Sequence, residues 1–266
     1  MSATTYAYKA ADIVEALKKV GVRKGDIIFS HMGMGFLGTL KEGHDRDTVV
    51  RIIVDAFKEV LGPEGTLIVP TYTYSFCNGE DYDASTSPST VGYFTEAFRK
   101  LPGVARSREP IFSVAGFGPH IPQLFASLPN TSFGVDCIYD RLVKAGASIC
   151  NIGVGFRYAT FIHYVEKSVG VPYRFDKIFH GNIVEEGKKV PTDMVYYVRT
   201  AIDDLDSWPD LTRLEEDARR TGVLHEAPLG RSVVTRVGCR EVLDLGSAAI
   251  KQNPWYLVRG FYAHTK

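Results

Sequence analysis

Apolar residues recur at helical spacing over residues 12–20 and stop at Gly21, and the run Ile27-Ile28-Phe29-Ser30 that follows has the length and character of a buried strand. The same couple returns downstream. Val49, Ile52, Ile53, Ala56, Phe57 and Val60 mark one face of a helix over 45–61, closed by Gly62-Pro63, and Thr66-Leu67-Ile68-Val69 is the next strand. The spacing predicts further helices over 92–101, 119–128, 138–145, 211–221 and 239–252, and strands over 111–117 and 148–154. Residues 75–90, rich in Ser, Thr, Asp, Asn and Gly, read as a long surface excursion. Strands alternating with helices of this length predict an α/β fold with a largely parallel central sheet flanked by helices. Past Pro172 the pattern changes. Residues 176–190 have hairpin character around Glu185-Glu186-Gly187-Lys188, and 194–199 is another strand, so an added antiparallel element is expected in the C-terminal third. With no repeat, low-complexity tract or linker, residues 1–266 read as a single domain containing a smaller subregion at 173–235.

Composition narrows the class. Hydrophobic residues make up 45% and charged residues 23%, as in an ordinary folded protein. Lys plus Arg and Asp plus Glu both number 31, so no global field draws in nucleic acid or an acidic membrane. Cys77, Cys137, Cys150 and Cys239 lie far apart without CxxC spacing, which argues for free thiols over a zinc site or a disulfide framework. There is no signal-like start and no apolar stretch of membrane-spanning length, so a soluble cytoplasmic protein is expected.

Candidate chemistry concentrates at two strand-to-helix junctions, the edge where open α/β sheets hold their ligands. In the second, residues 153–166 run from a strand through a glycine bend into a helix, where Thr160, His163 and Glu166 would share one face. A carboxylate on one imidazole nitrogen fixes the tautomer and raises the basicity of the other, so this pair suits proton transfer. The alternative is a core histidine bonded to a backbone carbonyl. An HxxE spacing supplies one histidine and no third metal ligand, so no metal is expected. In the first junction, Gly33, Gly35 and Gly38 follow His31 closely, and glycines let backbone amides approach an anion. A plain tight turn explains the same residues. Thr71 and Ser113 could face a cleft from strand ends, although neither lies in a GxSxG elbow. Tyr72, Tyr74, Phe76, Tyr82 and Tyr93 could stack on a sugar or purine, or simply be half-buried.

Four blocks stand in order along the chain: Gly25-Asp26-Ile27-Ile28-Phe29-Ser30-His31 with Leu37-Gly38; Gly62 to Thr71; Arg106-Ser107 with Pro110, Ser113-Val114 and Gly116; and Thr160 to Glu166. Together, in register, they resemble the aminoglycoside 3-N-acetyltransferase family. The resemblance implies an acyl-coenzyme A donor, most simply acetyl-CoA, and a primary amine on a sugar as acceptor. At matching positions it implies His163 as general base and Glu166 as its acidic partner. Coenzyme contacts would come from His31, Met32, Gly33, Met34, Gly35, Phe36, Leu37 and Gly38 of the loop, and from Thr71, Ser107, Ser113 and Val114. It also implies a homodimer. The chain departs from the family pattern at Met32-Gly33, where serines are usual, at Glu109, where a histidine is usual, and at Arg157-Tyr158-Ala159, where an aspartate is missing.

A polycationic antibiotic asks for carboxylates in its pocket. Arg157, Tyr173-Arg174 and Lys177 instead suggest an acceptor bearing phosphate, so a nucleotide-linked amino sugar is the first expectation for the acceptor, held by Tyr72, Tyr74, Arg157, Tyr173 and Arg174; the other reading is that these cations are solvated or paired with Glu166, Asp176 or Glu185. Acetylation of an aminoglycoside antibiotic is the alternative. Two further readings are a metal-dependent hydrolase built on His31, His163 and Glu166, and a noncatalytic acyl-CoA-binding module.

Overall fold

The helices and strands that the periodicity predicts occur in the predicted order, with further short elements between them, and the computed structural model describes residues 6–200 and 206–260. The strands are β1 (Ile27–Phe29), β2 (Thr66–Pro70), β3 (Ala105–Arg106), β4 (Val114–Phe117), β5 (Ser148–Ile152), β6 (Arg174–Glu185), β7 (Lys188–Arg199), β8 (His225–Leu229) and β9 (Ser232–Gly238). The helices are α1 (Ala10–Lys19), α2 (Met34–Leu37), α3 (Arg46–Leu61), α4 (Tyr93–Phe98), α5 (Ile121–Phe125), α6 (Ile138–Lys144), α7 (Ile162–Val169), α8 (Thr212–Arg220) and α9 (Cys239–Gln252).

Seven strands form one sheet in the order β3-β4-β2-β1-β5-β9-β8. Its parallel centre is β2-β1-β5, and antiparallel pairs extend it on both sides. Every residue of those three central strands is buried, because helices cover both faces. Side chains alternate between two cores. Ile28, Leu67, Val69 and Ile152 pack with α1 and α3, whereas Ile27, Phe29, Ile68 and Ile149 pack with α6, α7 and α9. Local chemistry ends the helices where expected: Thr48 N–H donates to Asp45 Oδ1 at 2.8 Å at the start of α3, and Gly62 takes φ 65° just past its end.

The hairpin prediction holds and the element is longer than read. Strands β6 and β7 pair over twelve residues each, from Arg174↔Arg199 to Glu185↔Lys188. Glu186 and Gly187 at the turn have φ 49° and 76°, the left-handed pair that matches strand twist in a two-residue loop. Residues 75–90 run largely over the surface, as expected, but are pinned at one point. Tyr82 is wholly buried, and its backbone bridges to the hairpin through Tyr82 N–H to Asn182 O (2.9 Å) and Val184 N–H to Tyr82 O (2.7 Å). Ser132 N–H to Val195 O (2.9 Å) holds the other strand, so the hairpin is clamped against the carboxyl side of the main sheet. No helix among the described residues is long and apolar enough to cross a membrane.

Candidate functional site

The bend after β5 is set by two glycines meeting backbone to backbone. Gly33 N–H donates to Ile152 O at 2.8 Å, Ile152 N–H donates to His31 O at 3.0 Å, and Gly153 sits at φ 74°. A Cβ on Gly153 would fall onto the Gly33 carbonyl oxygen, and one on Gly33 would fall onto the Val154 side chain. This contact ties the 31–38 loop to the start of the segment that carries the histidine.

His163 lies one residue into α7, and Glu166 follows on the same face. Nδ1 of His163 is 2.8 Å from Glu166 Oε2. The carboxylate has no exposed surface and is enclosed on its other sides: Tyr173 Oη donates to Oε1 at 3.0 Å, and Arg174 Nε stands 2.7 Å from Oε2, out of line for a hydrogen bond. Arg174 in turn donates from Nη1 to Tyr197 O at 3.1 Å. The guanidinium and the imidazole hold Glu166 below the usual carboxylate range despite its burial. For His163, burial and the nearby Arg174 charge outweigh the Glu166 hydrogen bond, so its pKa falls below the ordinary histidine value. At neutral pH the ring is therefore an uncharged base. Because Glu166 accepts from Nδ1–H, the lone pair sits on Nε2, which has no hydrogen bond among the described residues, and 16% of the side chain is exposed.

A second histidine is held apart from this pair. Asn151 donates to Gly155 O at 3.1 Å, which turns its Oδ1 toward His31, where it accepts from backbone N–H and Nδ1–H, both at 3.1 Å. Burial lowers the His31 pKa to about 4, so it is neutral, and Nε2 faces Thr160 Oγ1 at 3.4 Å. Thr160 precedes α7 and faces His31, so it does not share the His163–Glu166 stripe as expected. His31, His163 and Glu166 do not converge, and no group of His, Cys, Asp and Glu among the described residues is arranged to hold a metal.

Several of the residues expected to meet ligands have buried side chains with partners inside the protein. Thr71, Ser107, Ser113 and Val114 are internal. Their polar atoms serve the sheet: Thr71 Oγ1 donates to Ser113 O (3.1 Å), Ser113 Oγ donates to Thr71 O (2.7 Å), and Ser107 Oγ accepts from Val114 N–H (2.9 Å). Tyr173 and Arg174 are also internal, and both meet Glu166. Arg157 is exposed and donates from Nε to Glu215 Oε2 at 2.6 Å, while Lys177 lies over the Phe179 ring. Tyr72 is buried, with its hydroxyl 2.9 Å from that of Tyr139. Tyr74 remains half-buried, edge-on to Phe112. In the 31–38 loop, Leu37 is buried, whereas Gly35 and Phe36 are exposed and nothing lies within 4 Å of where a Gly35 Cβ would stand.

A family model described as aminoglycoside 3-N-acetyltransferase matches residues 29–251. The chain belongs to that family. As a member it is an acyl-CoA-dependent N-acetyltransferase with acetyl-CoA as cosubstrate. Aminoglycoside N(3)-acetyltransferase IV of Salmonella sp is 29% identical over 191 residues, 71% of this chain and 69% of that protein. Among solved structures, AAC-VIa bound to sisomicin superposes with a TM-score of 0.80 at 22% identity, covering 93% of this chain and 98% of that one. AAC-IIIb in binary complex with CoASH gives 0.78 at 17% identity, covering 92% and 96%. Sequence reasoning about this acetyltransferase missed Asn151, which holds His31, and Phe133 and Tyr139, which stack on each other with Phe133 against the His163 ring. Asn151 had a signal, a lone amide inside the apolar run 149–152. The two aromatics had none, since their placement comes from helix packing.

Proposed function

We propose that this acetyltransferase moves the acetyl group of acetyl-CoA onto a primary amine of a polycationic amino sugar of the aminoglycoside class, with His163 as general base. The His163–Glu166 pair carries the reading. An acceptor amine is an ammonium ion at neutral pH and cannot attack a thioester until it loses a proton. His163 Nε2 takes that proton. The imidazolium sheds that proton to solvent; as the amine nitrogen bonds to the thioester carbonyl carbon, His163 Nε2 takes a second proton from it, the carbon–sulfur bond breaks, and the imidazolium gives this proton to the departing thiolate, leaving a neutral amide and the free coenzyme thiol. Glu166 balances the charge on the transient imidazolium and keeps the ring oriented, while Tyr173 and Arg174 hold the carboxylate in place. Direct transfer requires no nucleophilic side chain, and the buried thiols of Cys137, Cys150 and Cys239 are all pushed up by burial, away from thiolate reactivity.

Coenzyme contacts in this reading come from the outward part of the 31–38 loop, Gly35 and Phe36 foremost. The acceptor reading departs from the first expectation of a nucleotide-linked sugar because the arginines that suggested phosphate binding are already engaged by Glu215 and Glu166. The named relatives act on aminoglycosides, which agrees.

A thiol-release assay tests both parts. Aminoglycosides should be turned over with acetyl-CoA and nucleotide-linked amino sugars should not; the opposite preference would overturn the acceptor. His163→Ala should lower kcat by about 100-fold or more with little change in coenzyme affinity. Because the base must be neutral, turnover should decline only as pH drops below the ordinary histidine value, following the lowered His163 pKa. Wild-type turnover in the variant would remove His163 from the mechanism.

A further inference from the structure

Glu109 is a buried carboxylate with no cationic partner among the described residues. Its residue is 4% exposed, and Oε2 accepts from the backbone N–H groups of Ile111 (3.1 Å) and Phe112, while Oε1 accepts from Ser132 Oγ at 2.7 Å. All three donors are neutral. The neighbouring cations are turned elsewhere: Arg106 donates to Thr71 O (2.6 Å) and to Ser87 O, and Arg108 pairs with Glu185. The ionisable groups that sense Glu109 are Tyr72, Tyr74, Cys77, Tyr82 and Tyr139, and burial keeps each of them protonated. A buried charge held only by neutral dipoles is costly, and a glutamine would fill the same space and hydrogen bonds without that cost.

The position of this charge points to a use. Phe112, whose amide binds Glu109, packs on Phe133 at 4.9 Å between ring centroids, and Phe133 meets the His163 ring edge-on at 5.5 Å. Tyr72, Tyr74 and Tyr196 pack around the same Phe112 ring. Glu109 thus lies behind the Phe112–Phe133 ring pair that flanks the base, while the one cation beside His163 among these contacts, Arg174, is paired with Glu166.

On the functional reading above, we infer that Glu109 is a specificity-determining residue whose uncompensated carboxylate favours polycationic acceptors beside His163. The field acts through low-dielectric aromatic packing rather than through direct contact. It would select for acceptor charge and leave the anionic coenzyme site little affected.

Glu109→Gln tests this, since a glutamine can accept from both amides and donate to Ser132. At pH 8.5, KM for a four-charge aminoglycoside should rise about tenfold. KM for glucosamine should change less than twofold, and KM for acetyl-CoA should stay within twofold. Unchanged KM for the polycation, or equal rises for both acceptors and the coenzyme, overturns the inference. Ser132→Ala supplies a second reading if the glutamine variant does not fold. It removes a donor that favours the ionised carboxyl, so the pH at which aminoglycoside KM climbs should move upward relative to wild type, with the acceptor's own titration common to both. No movement overturns the inference. If the wild type turns over no polycationic acceptor, the functional reading fails; if it does and Glu109→Gln matches it, only the role of Glu109 fails.

Discussion

Glu109→Gln also has a consequence for stability that is independent of substrate. Burial raises the Glu109 pKa from 4.5 to about 7, opposed only by Ser132 and the Phe112 and Ile111 amides. A carboxyl raised in the native state stabilises the fold fully below the unfolded pKa, where both states are protonated. That stability is lost as pH rises through the native value, because the unfolded chain ionises more readily. Each pKa unit corresponds to about 1.4 kcal/mol, so the 4.5 to about 7 interval amounts to about 3 kcal/mol between roughly pH 4 and pH 8. Glutamine has no such titration. The stability of Glu109→Gln relative to wild type should therefore climb by about 3 kcal/mol across that range, whatever its offset at pH 4. Urea unfolding of both proteins at matched pH values from 4.5 to 8.5 reads this directly, because all other titrations are shared. Parallel curves would refute the reasoning. They would mean that Glu109 is as well solvated, or as well paired, in the folded protein as in the unfolded chain.

Two further outcomes follow from the site. Glu166→Gln leaves Arg174, whose side chain is 3% exposed, without its counter-charge; it should cost about 3 to 5 kcal/mol in unfolding experiments, and Arg174→Met in the same chain should recover part of that, with independent additive losses excluding the pairing. Gly33→Val and Gly35→Val should separate: the first drives a side chain into Val154 and lowers the melting temperature, whereas the second meets open space, keeps the fold and weakens coenzyme binding by calorimetry, and unchanged affinity would remove the loop from the coenzyme site.

The parts of this protein that were legible in the chain are those governed by short-range geometry. The spacing of Val49, Ile52, Ile53, Ala56, Phe57 and Val60 suffices for α3, because a 3.6-residue period is a property of the segment itself. The Glu186-Gly187 turn and its hairpin follow from two residues that tolerate positive φ. The His163–Glu166 contact is likewise local, since residues three apart on a helix meet without outside help. Strands β8 and β9 escaped the reading. Pro228 in β8 speaks against a strand, yet β8 is the edge of the sheet, where a missing N–H costs no ladder bond.

What the chain alone left undecided is where polar side chains end up, because burial depends on partners far away in sequence. Arg157 and Arg174 look alike as exposed cations beside α7; one meets Glu215, 58 residues on, and the other is folded inward by the clamped hairpin onto Glu166. Thr71 and Ser113 look like ligand hydroxyls until the β2–β4 pairing turns them into each other's partners. Glu109 is an ordinary surface residue by type, and only the packing of Phe112, Ser132 and the surrounding tyrosines makes it a buried charge. Periodicity is written into each segment, whereas desolvation is a property of the assembled fold.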